Sequence, residues 1–193
     1  MSNILVSLNG DHRNLASLLQ ILERHLEMLE VSGDVDWEII DLILGYTQRY
    51  ADLCHHPIED LIYQALEDKN IAMGEYARSL QDEHAELTLS TQQLRDSVNH
   101  HRMHPNGDFG DLISEAKAFL DSYWRHMESE ETVLFKAALK ALTAEDWQSL
   151  DSQMTKFTRS YSAQNSQERF LALRDYIHRL ERINLADPET DSI

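Results

Sequence analysis

The sequence predicts an all-α protein, an up-down antiparallel four-helix bundle with an additional C-terminal helical hairpin. Three observations carry this expectation. The chain of 193 residues holds six Gly and three Pro, too few turn residues for an all-β fold. Strand-like alternation is scarce, while apolar residues recur every three to four positions. Apolar residues also make up 42% of the chain, enough at this length for one domain with a sizeable core, or for a domain with an added subdomain.

The first helix is expected over about 11–30, with Leu15, Leu18, Leu19, Leu22 and Leu26 along one side. "VSGDVDW" breaks it, and Asp34 or Asp36 is placed to cap the second helix. That helix carries Ile39, Ile40, Ile43, Tyr46, Tyr50 and Leu53, and continues through "LCHHPIEDLIY" to about Leu66. Pro57 removes the amide that would bond to Leu53, so a kinked but continuous helix is expected, because Leu61, Ile62 and Leu66 keep the apolar period. The alternative makes Pro57 the first residue of a new helix, with Glu59 and Asp60 at its positive end, and would spoil the spacing of His55 and Glu59.

The third helix is expected over about 71–104, turning Leu80, Leu87, Leu94 and Val98 inward. "HPNGDFGD" is the clearest loop, and a fourth helix follows over about 112–139. Thr143 with Asp146 is a near relative of the capping box and opens a helix with Leu150, Met154 and Phe157 inward. After "SAQNSQ" a last helix carries Phe170, Leu173, Tyr176, Ile177 and Leu180 inward. The expected organisation is therefore a bundle over 1–142, C-terminal helices over 143–184 packed on it or extending it, and a mobile acidic tail over 185–193.

The 34 acids against 17 bases give a formal charge of −17. Such a surface repels phosphate backbones, so nucleic acid is excluded as a partner. No apolar run approaches a membrane span, and "MSNILVSLNGDH" has no secretory pattern. The single cysteine, Cys54, rules out an internal disulfide, suits a reducing compartment and reads as a small buried thiol. A cytoplasmic location is expected.

His55 and Glu59 are four residues apart, and so are His126 and Glu130. On a helix that spacing puts both groups of a pair on one face. Counting rises of about 1.5 Å per residue along antiparallel helices brings His12, His55, His84 and His126 close to a common level. Four imidazoles from four helices then meet beside two carboxylates. A buried, uncoordinated carboxylate loses its hydration, and cations remove that cost because neutral imidazoles and ionised carboxylates are their ligands. The donor set suits a dinuclear site bridged by both glutamates, holding iron or manganese, with zinc as a further option.

Neighbouring groups are expected to play lesser parts. His56 is turned about 100° from His55 and is expected behind the ligands or facing solvent. Glu131 is expected at the surface, and Tyr123, one turn before His126, either hydrogen-bonds a metal-bound ligand or is ordinary core. His100 and His104 read as complements to the negative end of the third helix. No nucleophile elbow or phosphate loop is present, so hydrolase or transferase chemistry is not expected.

"NGDHRNL", "HHPIED" followed by "LIYQAL", "DEHAEL" and "HMESEETVLF" together resemble the four signatures of hemerythrin-like, or HHE cation-binding, domains. "LTAEDW" is similar to a common continuation in that family, and the resemblance covers about residues 8–150. It implies a four-helix bundle around two non-haem iron ions, bridged by oxide or hydroxide. By matching position the ligands would be His12, His55, Glu59, His84, His126 and Glu130.

The pattern departs from the oxygen carriers, which place two histidines a turn apart on the third helix. Here Leu80 and Thr88 flank His84, which implies that one iron lacks a protein ligand. It looks closer to the four-histidine, two-glutamate branch, which includes proteins of iron–sulfur cluster repair, although no cysteine-bearing segment precedes the first motif. The resemblance implies a protein that acts on or senses a small diatomic (O2 or NO), with oxidase- or NO-reductase-like chemistry, or that hands iron to an acceptor. The rival expectation is a metal-stabilised interaction module, with the C-terminal helices forming a homodimer contact or docking a partner.

Overall fold

The computed structural model describes residues 2–71, 76–104, 107–161 and 167–186. The described residues are helical almost throughout and contain no strand. The helices are α1 (Asn3–Ser32), α2 (Trp37–Tyr50), α3 (His56–Asp68), α4 (Tyr76–Met103), α5 (Gly110–Ser129), α6 (Phe135–Ala141), α7 (Ala144–Tyr161) and α8 (Gln167–Ala186). Two π-helical turns complete them: Ala51–His55 joins α2 to α3, and Glu130–Leu134 joins α5 to α6.

Local chemistry sets the ends. Asp36 caps α2, its Oδ1 accepting from the amides of Glu38 and Ile39 at 2.9 and 3.2 Å. Gly33 closes α1 with φ of 72°, a left-handed conformation that glycine adopts without strain. Thr143 and Asp146 cap each other's amides at 2.7 and 3.4 Å, as a capping box does. At the end of α4, Nδ1 of His104 donates to the carbonyl of His100 at 2.8 Å, in keeping with a helix-terminal role.

α1 starts eight residues before the expected point, capped locally by Ser2, whose side chain accepts from the amide of Leu5, and supported by a distant element. Asp151 of α7 accepts from the amides of Asn3 and Ile4 at 3.2 and 2.9 Å, satisfying donors that local sequence leaves bare. The C-terminal helices also differ from expectation in detail. α7 packs on α1 and α3, whereas α8 packs on α1 and α2. Tyr176 is 42% exposed rather than core: Phe170 and Ile177 form the buried edge of α8, with Leu173 and Leu180 packed beside them. The expected tail falls mostly outside the described residues; Leu185 and Ala186 still belong to α8.

α1 touches α2 and α5, and α4 touches the same two helices, so four rods surround one interior. That interior has two apolar clusters. One joins Leu15 to Leu29 of α1 with Ile39 to Tyr50, Leu87 to Val98, Leu112 to Met127, Phe170 and Ile177. The other joins Ile4 to Leu8 with Ile58 to Leu66, Leu80, Leu134 to Leu142 and Leu150. Fully burying one such side chain stabilises by about 1.5–3 kcal/mol, so the two clusters carry the fold. Between them, at residues 11–12, 55–59, 84 and 126–130, lies a buried polar layer.

Candidate metal centre

The layer is built from the two π-helical turns outward. The amide of His56 reaches the carbonyl of Ala51, and that of Phe135 reaches the carbonyl of Glu130. A π turn holds more residues than an α turn, so the angular step between neighbours shrinks. Adjacent residues can then face the same way. His55 and His56 are both buried, and both Glu130 and Glu131 reach the layer. Pro57 sits in the first turn of α3, just after the π turn, where its missing amide leaves no orphan. The helix runs unbroken from Trp37 to Asp68 through this turn, as the apolar period led one to expect, and the spacing of His55 and Glu59 is kept: their Nε2 and Oε1 atoms lie 3.2 Å apart.

All six residues singled out from the sequence meet here. Nε2 of His12 lies 3.2 Å from Nε2 of His55. Glu59 turns Oε1 toward His12 and His55, at 3.4 and 3.2 Å, and Oε2 toward Nε2 of His84, at 3.6 Å. Glu130 turns Oε2 toward Nε2 of His12, at 3.2 Å, and Oε1 toward His84 and His126, at 3.4 and 3.1 Å. Each carboxylate thus spans two sets of imidazoles, which is the arrangement a bridging ligand needs.

A seventh residue joins them. His56 is 6% exposed, not solvent-facing, and stacks on His84 with ring centroids 3.8 Å apart. Two overlapping groups of donors result, His12–His55–Glu59–Glu130 and His56–Glu59–His84–His126, each with its atoms within 4.8 Å of one another. The doubled histidine before a proline was the available signal. An ideal α-helical step of about 100° hid it.

Five nitrogens therefore point inward, and carboxylates stand behind them. Nδ1 of His12 donates to Glu131 at 2.9 Å, and Nδ1 of His126 donates to Glu83 at 3.1 Å. Nδ1 of His55 lies 3.5 Å from Asp11, that of His56 3.8 Å from Asp52, and that of His84 3.9 Å from Asp60. Outer acceptors of this kind fix the tautomer that presents Nε2 to a metal. Glu131, expected to be a surface group, is 48% exposed yet serves in this way. Tyr123 packs edge-on against His126 at 6.5 Å, and Phe135 stacks on His12 at 5.6 Å, closing the layer from the apolar sides.

The inward atoms are poorly satisfied by protein alone. Both oxygens of Glu59, Oε2 of Glu130, and Nε2 of His56 and His126 are buried without a hydrogen-bond partner among the described residues. Leaving one buried polar group unmet costs about 1–3 kcal/mol, and more when it is charged. Protons offset part of this. Burial opposes charge on His12, but the carboxylates of Glu130 and Glu59, 3.2 and 3.4 Å from its Nε2, outweigh it and raise the imidazole to about 11. The same contest, won by Glu59 and Asp11, raises His55 to about 9, and that won by Glu130 and Glu83 raises His126 to about 10. Burial and the neighbouring His84 push His56 well down, so it stays neutral with a free lone pair. Against burial, the imidazoles around Glu59 hold that carboxyl ionised. Neutral imidazole, ionised carboxylate and orphaned inward atoms are the donor set that a cation satisfies.

Three depressions approach the layer from outside. One of about 240 Å³ is lined by His12, Ala16, Trp124, Met127 and Glu131. Another of about 260 Å³ reaches His56 and His84 between Asp52 and Asp60. The largest, about 660 Å³, runs along Glu83, Glu86 and Arg125 to His126. Cys54, half-buried beside the layer, is pushed up to about 11 by burial and then Asp11, and so stays a thiol. No described helix is long and apolar enough to cross a membrane.

A family profile for the hemerythrin HHE cation binding domain matches residues 3–138. No curated protein and no solved structure matches the chain. The matched segment begins with α1 and ends in α6, enclosing every member of the two donor groups. The chain belongs to the hemerythrin HHE cation-binding family.

Proposed function

We propose that the chain is a non-haem di-iron protein whose metal pair acts on or senses a small diatomic, O2 or NO. The carrying observation is the pair of overlapping donor groups joined by Glu59 and Glu130, with buried inward atoms that no protein partner satisfies. In this reading the four rods form an up-down bundle, as the sequence pattern suggests. Glu59 and Glu130 would be shared between the two ions, with His12 and His55 holding one and His56, His84 and His126 the other. Nitrogen and oxygen donors without thiolate favour iron or manganese over softer metals.

Bound there, two ferrous ions would supply the electrons for binding or reducing a diatomic. The protein's share is positional. The glutamates offset the charge of the two cations in a layer that is dry on both apolar sides. The position on His12 and His55 has one imidazole fewer, and the depression lined by Ala16, Trp124 and Met127 lies beside His12. Its volume of about 240 Å³ leaves room for a diatomic beside His12. The outer carboxylates would hold the Nδ1 protons, so that Nε2 offers its lone pair once a cation displaces the proton there.

Protein loaded anaerobically with ferrous iron should hold close to two ions per chain by elemental analysis. Mixing it with O2 or NO should change its near-ultraviolet and visible absorption. Loading with no spectral response to either gas would favour the rival reading, in which the metal serves stability or interaction. Iron transfer to a metal-depleted acceptor protein distinguishes a handling role from both.

A further inference from the structure

α8 lies outside the matched family segment, yet it is joined to the layer by an unbroken line of buried contacts. Phe170 of α8 meets Tyr50 edge-on, with centroids 5.2 Å apart and planes at 71°. It also meets Tyr46 at 90°, and the two tyrosines stack 5.2 Å apart. The hydroxyl of Tyr50 donates to Oδ1 of Asp11 at 2.5 Å. The other oxygen of Asp11 lies 3.5 Å from Nδ1 of His55, which has no hydrogen-bond partner of its own. Asp11 is 5% exposed and Tyr50 1%.

This arrangement is expensive unless it does something. A carboxylate removed from water loses hydration that one phenol only partly replaces. Packing alone would be served by an apolar residue at position 11. The two oxygens of Asp11 face different partners, the phenol on one side and His55 on the other. An imidazole that ligates through Nε2 carries its proton on Nδ1 and requires an acceptor there. For His55 the nearest acceptor is Asp11. The corresponding carboxylates behind His12 and His126 are 48% and 32% exposed, so water weakens them; the one behind His55 is desolvated.

We propose that Asp11 and Tyr50 are positioning residues for His55, and that α8, through Phe170, holds Tyr50 in place and so forms part of the cation site. The proposal rests on the di-iron reading. The hold on α8 itself is firm and polar: Glu181 accepts from Arg24 and His25 at 2.8 Å each, Arg174 donates to Asn14 at 2.6 Å, and His178 lies 3.1 Å from the hydroxyl of Ser17. Cation affinity and the docking of α8 are therefore one coupled equilibrium, and coupling in binding is reciprocal.

The test uses the full chain titrated anaerobically with Co(II), with Zn(II) for NMR. Tyr50→Phe removes only the phenolic hydrogen bond, and Phe170→Leu removes the ring edge while keeping an apolar side chain. Each should weaken one of the two cation equivalents severalfold and leave the other unchanged, whereas the exposed Tyr176→Ala should do nothing. Asp11→Ala should cost about 10–100-fold at that equivalent, and Asp11→Asn, which retains an acceptor, should recover part of it. In unaltered protein, Zn(II) should fix His55 as the Nδ1–H tautomer by ¹⁵N NMR and slow hydrogen exchange across α8. Two equivalents bound with unchanged affinities in Tyr50→Phe and Phe170→Leu, and α8 exchange indifferent to Zn(II), would overturn the proposal. A wild-type chain that binds no cation would instead sink the di-iron reading on which it stands.

Discussion

Among the described residues two places bury histidine against glutamate, and one of them has the makings of a metal centre. Where α1 meets α8, Nε2 of His25 donates to Glu181 at 2.8 Å and Arg24 occupies the other oxygen. There, one carboxylate faces a guanidinium and an imidazole, and both of its oxygens are satisfied. In the layer, two carboxylates and five imidazoles converge, and no guanidinium enters. Oxygens and inward nitrogens are left without partners. Burial of histidine beside glutamate is thus common to a latch and to a cation site. What separates them is the surplus of inward lone pairs.

The comparison can be broken most directly at Glu59, which both donor groups share. Glu59→Gln should abolish stable loading of both equivalents, read by elemental analysis after desalting; retention of two ions would remove Glu59 from the bridge. In wild type, free cation at about 100 times its dissociation constant adds about 2.7 kcal/mol of stability. The melting temperature of Glu59→Gln should not respond to that cation.

His56→Ala sharpens the comparison from the other side. It should weaken one equivalent by about 10–100-fold while the second holds, in line with loss of one donor. Two unchanged affinities would return His56 to the role of a packed neighbour. His25→Gln, in the latch, removes no donor from the layer and should leave both equivalents loaded, lowering affinity only through the looser docking of α8.

Proton linkage gives a smaller, graded effect. The imidazoles of His12, His55 and His126 are raised from an ordinary 6.5 to about 11, 9 and 10. The stability they give the cation-free protein is full below about pH 6.5 and is lost as pH rises through 9 to 11. Cations compete with those same protons. Metal affinity should therefore rise with pH, and loading near neutrality should release protons measurable in weakly buffered solution. Melts in chelator and in excess cation should diverge as the pH is raised.

The smallest effect belongs to the latch. Glu181→Gln should lower stability by about 1–2 kcal/mol in chemical denaturation, the scale of a hydrogen bond to a charged group. It should leave two cation equivalents per chain. Loss of both with the fold intact would erase the distinction between the two places.

Most of the helical plan was legible because it is local. Leu15, Leu18, Leu19, Leu22 and Leu26 trace one face of α1, and each is buried. The spacing of four in His55–Glu59 and His126–Glu130 was equally legible, since one helical turn joins each pair. His56 was misjudged for the same reason, because the regular step was applied across a π turn. The start of α1 escaped because Ser2, its local cap, was passed over and because Asp151, far along the chain, takes the next two amides. Tyr176 was placed inside by a periodicity that α8 satisfies with Phe170 and Ile177.

By itself, the sequence determined that this chain is helical, which residue types it brings to a cation, and how they are paired along each helix. Those properties depend on neighbours three or four positions apart. Only the tertiary structure decided that His56 and Glu131 reach the layer, that Glu59 and Glu130 each face two ways, and that Phe170 of α8 meets Tyr50 behind Asp11. The register of one helix against another, and the turn that widens where they meet, are set by packing across the interior, and no local pattern encodes that.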